Sequence, residues 1–172
     1  MAHACYTNAR HMPRRDLVAD GVCRRLQLLC DLSSDVLNED TRKSVDSAYA
    51  NVAAECFGLW SNCLWRRYDG IDEFIQLKEA FFYLTGRLLD DGLIRFVTPG
   101  LDVYFVANRE PPTRQAKFTD THWIAPTDEI LAFLRKNWPQ TARHFDDADL
   151  NQYFYEIPPM VWKDKSGEWI GS

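Results

Sequence analysis

The sequence predicts an α+β domain, and three observations carry that expectation. Apolar residues recur at helical spacing through the amino-terminal half. A central stretch, Asp69 to Val106, joins an amphipathic helix to a tight β-hairpin, a winged-helix-like unit. The carboxy-terminal part then mixes a helix with a short closing hairpin, which completes the α+β pattern.

The central stretch is the most explicit. Ile71, Phe74, Leu77, Phe81, Leu84 and Leu88 form one apolar stripe that must face a core. Asp69 is the expected N-cap, Asp72 and Glu73 sit where the positive end of the helix dipole favours acids, and Gly92 is the left-handed stop. Arg95 to Thr98 read as a strand, Pro99-Gly100 as a type II turn, and Val103 to Val106 as the return strand.

Elsewhere the spacing divides the chain into a flexible terminus, residues 1–12, and a single α+β domain, residues 13–172. Pro13 opens a helix whose apolar side is Leu17, Val18, Val22, Leu26 and Leu29, with Arg14, Arg15, Arg24 and Arg25 on a solvated face. A second helix is expected from Ser44 to Tyr68, with Val45, Ala48, Tyr49, Val52, Cys56, Trp60 and Cys63 on one side. Thr127 should cap a helix over 128–137, and Trp138-Pro139 should end it. A short helical turn over 150–155 follows, capped by Asp147 or Asp149. Val161-Trp162 and Trp169-Ile170 then pair around Lys165-Ser166-Gly167.

Charge narrows the function. The 172 residues carry a formal net charge of −5, which lies against binding nucleic acid or an anionic membrane and favours a basic partner. Asp69, Asp72, Glu73, Glu79, Asp90 and Asp91 outnumber Lys78 and Arg87 on the central helix, so phosphates would repel it. No apolar run approaches the roughly 20 residues of a membrane span, and the first residues lack a secretory h-region, so a cytoplasmic protein is expected. The five cysteines, Cys5, Cys23, Cys30, Cys56 and Cys63, form no metal knuckle. The seven-residue spacings of Cys23–Cys30 and Cys56–Cys63 place each pair on one helix face, as small core residues.

Motifs that announce chemistry are missing. Asp147, Asp149 and Asn151 match the start of a calcium loop, but Gln152 stands where glycine is needed and Pro158 where the bidentate glutamate is needed. There is no G-x-S-x-G, no glycine-rich phosphate loop and no lysine-bearing P-loop. No metal, cofactor or catalytic residue is therefore expected. The class alternatives are a small enzyme using His122 or His144 with nearby carboxylates, and a winged-helix-like regulator.

The segments APTDEILAFLRKNWP and DADLNQYFYEIPPMVW, with the closing GEWIGS, carry a resemblance over Phe82 to Ser172. The chain resembles a family of small acidic bacterial proteins, some of which look like immunity proteins of contact-dependent or related toxin systems. That resemblance implies a cytosolic binder of a cognate toxin domain, with no reaction of its own. Acids then steer a basic partner, and Tyr or Trp anchors it. The expected interface comprises Asp146, Asp147, Asp149 and Glu156, with Trp138, Tyr153 or Tyr155 as anchors.

Overall fold

A computed structural model divides the chain into two units, Met1–Asp35 and Val36–Ser172. Residues 36–101 and 121–171, all of the second unit, are described. The expected terminus 1–12, the helix opened by Pro13, the strand Val103 to Val106 and the cysteines Cys5, Cys23 and Cys30 lie outside them.

The described residues form four helices and a three-stranded antiparallel sheet, an α+β fold. In chain order these are α1 (Glu39–Glu55), a 3₁₀ turn (Ser61–Leu64), α2 (Phe74–Asp90), β1 (Ile94–Phe96), α3 (Thr127–Lys136), α4 (Ala148–Glu156), β2 (Met160–Lys163) and β3 (Trp169–Gly171).

Helix α1 starts earlier and ends earlier than its apolar pattern predicts. The Asn38 side chain accepts the Thr41 N–H at 2.8 Å, and Glu39 and Asp40 complete a favourable first turn. At the other end Gly58 takes φ +76, a conformation that turns the chain away from the helix axis. Cys56 therefore caps α1, while Trp60 and Cys63 lie beyond it.

Helix α2 buries its predicted stripe, with Leu77, Phe81, Leu84 and Leu88 inside. It begins at Phe74, not beside Asp69, because a small turn comes first: Ile71 N–H bonds the Tyr68 carbonyl at 3.0 Å, and Gly70 has φ +75. Glu73 occupies the N-cap without a side-chain bond to the helix. The glycine stop holds as expected. Leu93 N–H reaches the Leu88 carbonyl at 2.9 Å and Gly92 N–H the Leu89 carbonyl at 3.0 Å, the paired bonds of a Schellman ending.

Helices α2 and α3 approach at Gly86, where an added Cβ would stand 3.1 Å from Leu131 Cδ1. Gly86→Leu is expected to wedge the two helices apart at a cost of about 1–3 kcal/mol, read as a lower urea midpoint. Gly86→Ala should be much milder, because a gain of about 1 kcal/mol in helix propensity opposes the tight contact. An unchanged midpoint for the leucine variant would show that α3 does not pack here.

The sheet adds a pairing that the sequence does not announce, while the expected return strand Val103 to Val106 lies outside the described residues. Among the described residues the strand order is β1-β2-β3, so β1 pairs with β2, in the register Ile94↔Trp162 and Phe96↔Met160. The closing hairpin forms as predicted, with Trp162↔Ile170 and Lys163↔Trp169. On its other side β1 is met at 121–123: Trp123 N–H bonds the Phe96 carbonyl and Thr98 N–H the Thr121 carbonyl, both at 2.8 Å. The Pro99-Gly100 turn is present, with Gly100 at φ +82 and Leu101 N–H on the Thr98 carbonyl at 3.2 Å.

Between the helices lies an aromatic core. Trp138 meets Trp65, Phe74, Phe81, Phe82, Tyr153 and Phe154 at ring-centroid distances of 4.9–6.5 Å. Thr127 does not cap α3 with its side chain; it donates to Asp90 at 2.6 Å and ties α3 to the end of α2.

Candidate functional site

The chain leaving α1, the turn after β1 and the segment joining α4 to β2 surround a groove of about 420 Å³. Its walls include Pro99, Leu101, Pro158 and Met160, and its rim carries Trp60, Tyr155 and Glu156. Tyr155 is 77% exposed and stacks on Trp60, with ring centroids 6.3 Å apart and planes inclined by 26°. Leu59, Phe57 and Leu101 are also exposed nearby in the chain, so large apolar side chains cluster about these segments.

Local structure explains why these rings stay outside. Tyr153 and Tyr155 lie two positions apart on α4, which directs them to different faces; Tyr153 enters the core and Tyr155 faces solvent. Trp60 sits on the segment released by Gly58. Trp162 Nε1 holds that segment from the sheet by donating to the Leu59 carbonyl at 2.9 Å, and the Phe57 ring packs 6.0 Å from the Trp162 ring. Glu156, exposed at the end of α4, accepts a bond from Gln152 Nε2 at 2.7 Å.

The structure separates the interface residues expected from the sequence. Trp138 and Tyr153 are 3% and 4% exposed, so neither is a surface anchor. Both complete the aromatic core, and the Tyr153 hydroxyl is further engaged in donating to the Leu134 carbonyl at 3.1 Å. Burial pushes its phenol pKa up. Asp147 accepts the backbone N–H groups of Arg143 at 2.5 Å and His144 at 2.9 Å, and these bonds hold its carboxyl below the usual range. It stands at the N-cap of α4 but orders the preceding turn. Asp149 accepts from Thr141. Asp146 is exposed and pairs with Arg67 at 3.2 Å, while the Arg67 guanidinium lies 4.4 Å from the centre of the Phe145 ring. Of the expected set, only Glu156 joins Tyr155 at the groove.

Among the described residues, neither His122 nor His144 forms a hydrogen bond or ion pair with a carboxylate through its ring. His122 is buried, its Nδ1 lies 3.3 Å from the Arg95 guanidinium, and its ring packs edge-on against Trp169. Burial first, and then the Arg95 charge, lower its pKa. His144 is exposed, and its backbone N–H bonds Asp147, whose carboxyl its ring also influences through charge. Among the described residues no group of three or more His, Cys, Asp or Glu could hold a metal ion. Among them, too, no helix is long and apolar enough to cross a membrane.

Fold and groove together define an α+β domain with exposed aromatic side chains around a concave surface. No protein-family model and no curated protein matches the sequence. Among solved structures the chain is similar to an uncharacterised protein conserved in bacteria, from Neisseria meningitidis. The match has a TM-score of 0.53 and 20% identity, and covers 77% of this chain and 92% of that one. This likeness shows a shared fold.

Proposed function

We propose that this chain is a cytosolic immunity-type protein that binds and neutralises a cognate toxin domain through the groove beside Tyr155. The observation that carries the reading is the aromatic pair at the rim: Tyr155 is 77% exposed while stacked on Trp60. Tyrosine and tryptophan at the centre of a contact dominate its free energy, because they bury large areas and lose little side-chain entropy. Glu156 at the same rim and a formal net charge of −5 favour a basic partner surface and faster encounter with it. The resemblance carried by the segments around Trp138 and Tyr155 supports the same class of partner.

Coexpression with the toxin domain encoded by a neighbouring gene tests this reading. Rescue of growth and recovery of a one-to-one complex are expected. Intact toxicity with no complex would refute it.

A further inference from the structure

Two cysteines that sequence spacing assigns to one helix face instead confront each other across a turn. Cys56 is the C-cap of α1, and its thiol donates to the Cys63 carbonyl at 3.2 Å; the Cys63 thiol lies 3.8 Å from the Cys56 carbonyl. The intervening loop is drawn closed by Leu59 N–H on the Cys56 carbonyl at 2.9 Å and Cys63 N–H on the Trp60 carbonyl at 3.0 Å. Both thiols are free; Cys56 is buried and Cys63 half-buried, so peroxide reaches Cys56 only when the loop over it opens. Arg66, paired with Glu55 at 2.6 Å, supplies a positive charge beside Cys56. Tyr68 is buried in the same electrostatic neighbourhood, and its hydroxyl has no hydrogen-bond partner.

We propose that Cys56 and Cys63 are a peroxide-responsive thiol pair that closes reversibly to a disulfide across the loop carrying Trp60. The two thiols have unequal roles. A hydrogen bond given by the Cys63 thiol to the Cys56 sulfur, helped by the Arg66 charge, favours the Cys56 thiolate and lowers its pKa, whereas giving that bond and burial push Cys63 up. Cys56 is therefore the thiolate and Cys63 the protonated resolving group. The Cys56 thiolate attacks one oxygen of hydrogen peroxide, the O–O bond breaks, and the departing hydroxide takes a proton to become water. Cys63 sulfur then attacks the Cys56 sulfenic acid; the S–S bond forms and the sulfenic hydroxyl leaves as water with the Cys63 proton. Two thiols are oxidised and one peroxide is reduced to two waters. This site stands independently of any toxin partner.

The reduced full chain, treated with a small molar excess of hydrogen peroxide, should yield a Cys56–Cys63 cross-linked peptide on mass-spectrometric mapping, and dithiothreitol should remove it. Cys63→Ser should trap a dimedone-reactive sulfenic acid on Cys56, whereas Cys56→Ser should leave Cys63 unlabelled. With Arg66, Glu55, Cys63 and Tyr68 the titratable groups around it, Cys56 should react faster at pH 8 than at pH 6, following its thiolate fraction. Mapping the wild-type chain requires no variant to fold. Cys56 advancing to sulfinic acid without a cross-link, or both thiols surviving while Cys5, Cys23 or Cys30 oxidises, would overturn the proposal.

Discussion

Trp138→Ala is expected to destabilise the fold by about 3–5 kcal/mol, the range for deleting a large buried aromatic ring. Trp138 is 3% exposed. Phe74, Phe81 and Phe82 reach it from α2, Tyr153 and Phe154 from α4, and Trp65 from the segment between α1 and α2. No single neighbour can fill the indole's volume, because each ring is fixed by its own helix or by another bond. Trp65, for example, is held by its Nε1 bond to the Phe145 carbonyl at 2.9 Å. The cavity therefore stays open, and each lining ring loses dispersion contact. Small domains have only about 5–15 kcal/mol in total, so the loss should be plain in a urea titration. Trp138→Phe should recover roughly half of it. A loss under about 1 kcal/mol for the alanine variant would mean the cluster collapses freely and Trp138 is not its centre.

Arg135→Met should cost about 3–5 kcal/mol, because it strands a buried charge. The Glu79 side chain is only 4% exposed, and the Arg135 guanidinium grips it with two bonds, Nη1 to Oε1 at 2.6 Å and Nη2 to Oε2 at 2.5 Å. The same guanidinium lies 4.1 Å from the centre of the Phe82 ring, so arginine also contributes packing. Losing the cation leaves Glu79 with neither solvent nor partner. Glu79→Met combined with Arg135→Met should restore stability to within about 1 kcal/mol of wild type, since two apolar side chains avoid the desolvation of both charges. Equal losses in the single and double variants, measured by denaturant midpoint, would show that the pair is uncoupled.

These two sites show what the sequence could and could not disclose. The periodicity of α2, the Gly92 stop and the closing hairpin were legible because each depends on residues close in sequence. Glu79 was not. On the helix it reads as one more surface acid, and only α3 packing across α2 brings Arg135 to it. The partnership of β1 with β2 is likewise a long-range pairing that no local signal announces.

The groove was half legible. Tyr155 was among the anticipated anchors, but Trp138 and Tyr153, equally aromatic and near it in sequence, are core. Helical phase distinguishes Tyr153 from Tyr155; composition does not. In the sequence Trp60 reads as part of an apolar helix face, because the helical spacing of Val52, Cys56 and Cys63 continues through it. Gly58 is the overlooked signal: a glycine inside that run breaks the helix, exposes Trp60 and brings Cys56 opposite Cys63.

The most direct measurement is the affinity of the cognate toxin domain for wild-type protein and for Tyr155→Ala. Tyr155 is solvent-exposed, so its removal should leave the unfolding midpoint unchanged. A hot-spot role at the rim of the groove predicts binding weakened by about 30-fold or more. A folded Tyr155→Ala variant that binds the toxin domain as tightly as wild type would contradict the assignment of this groove as the contact surface.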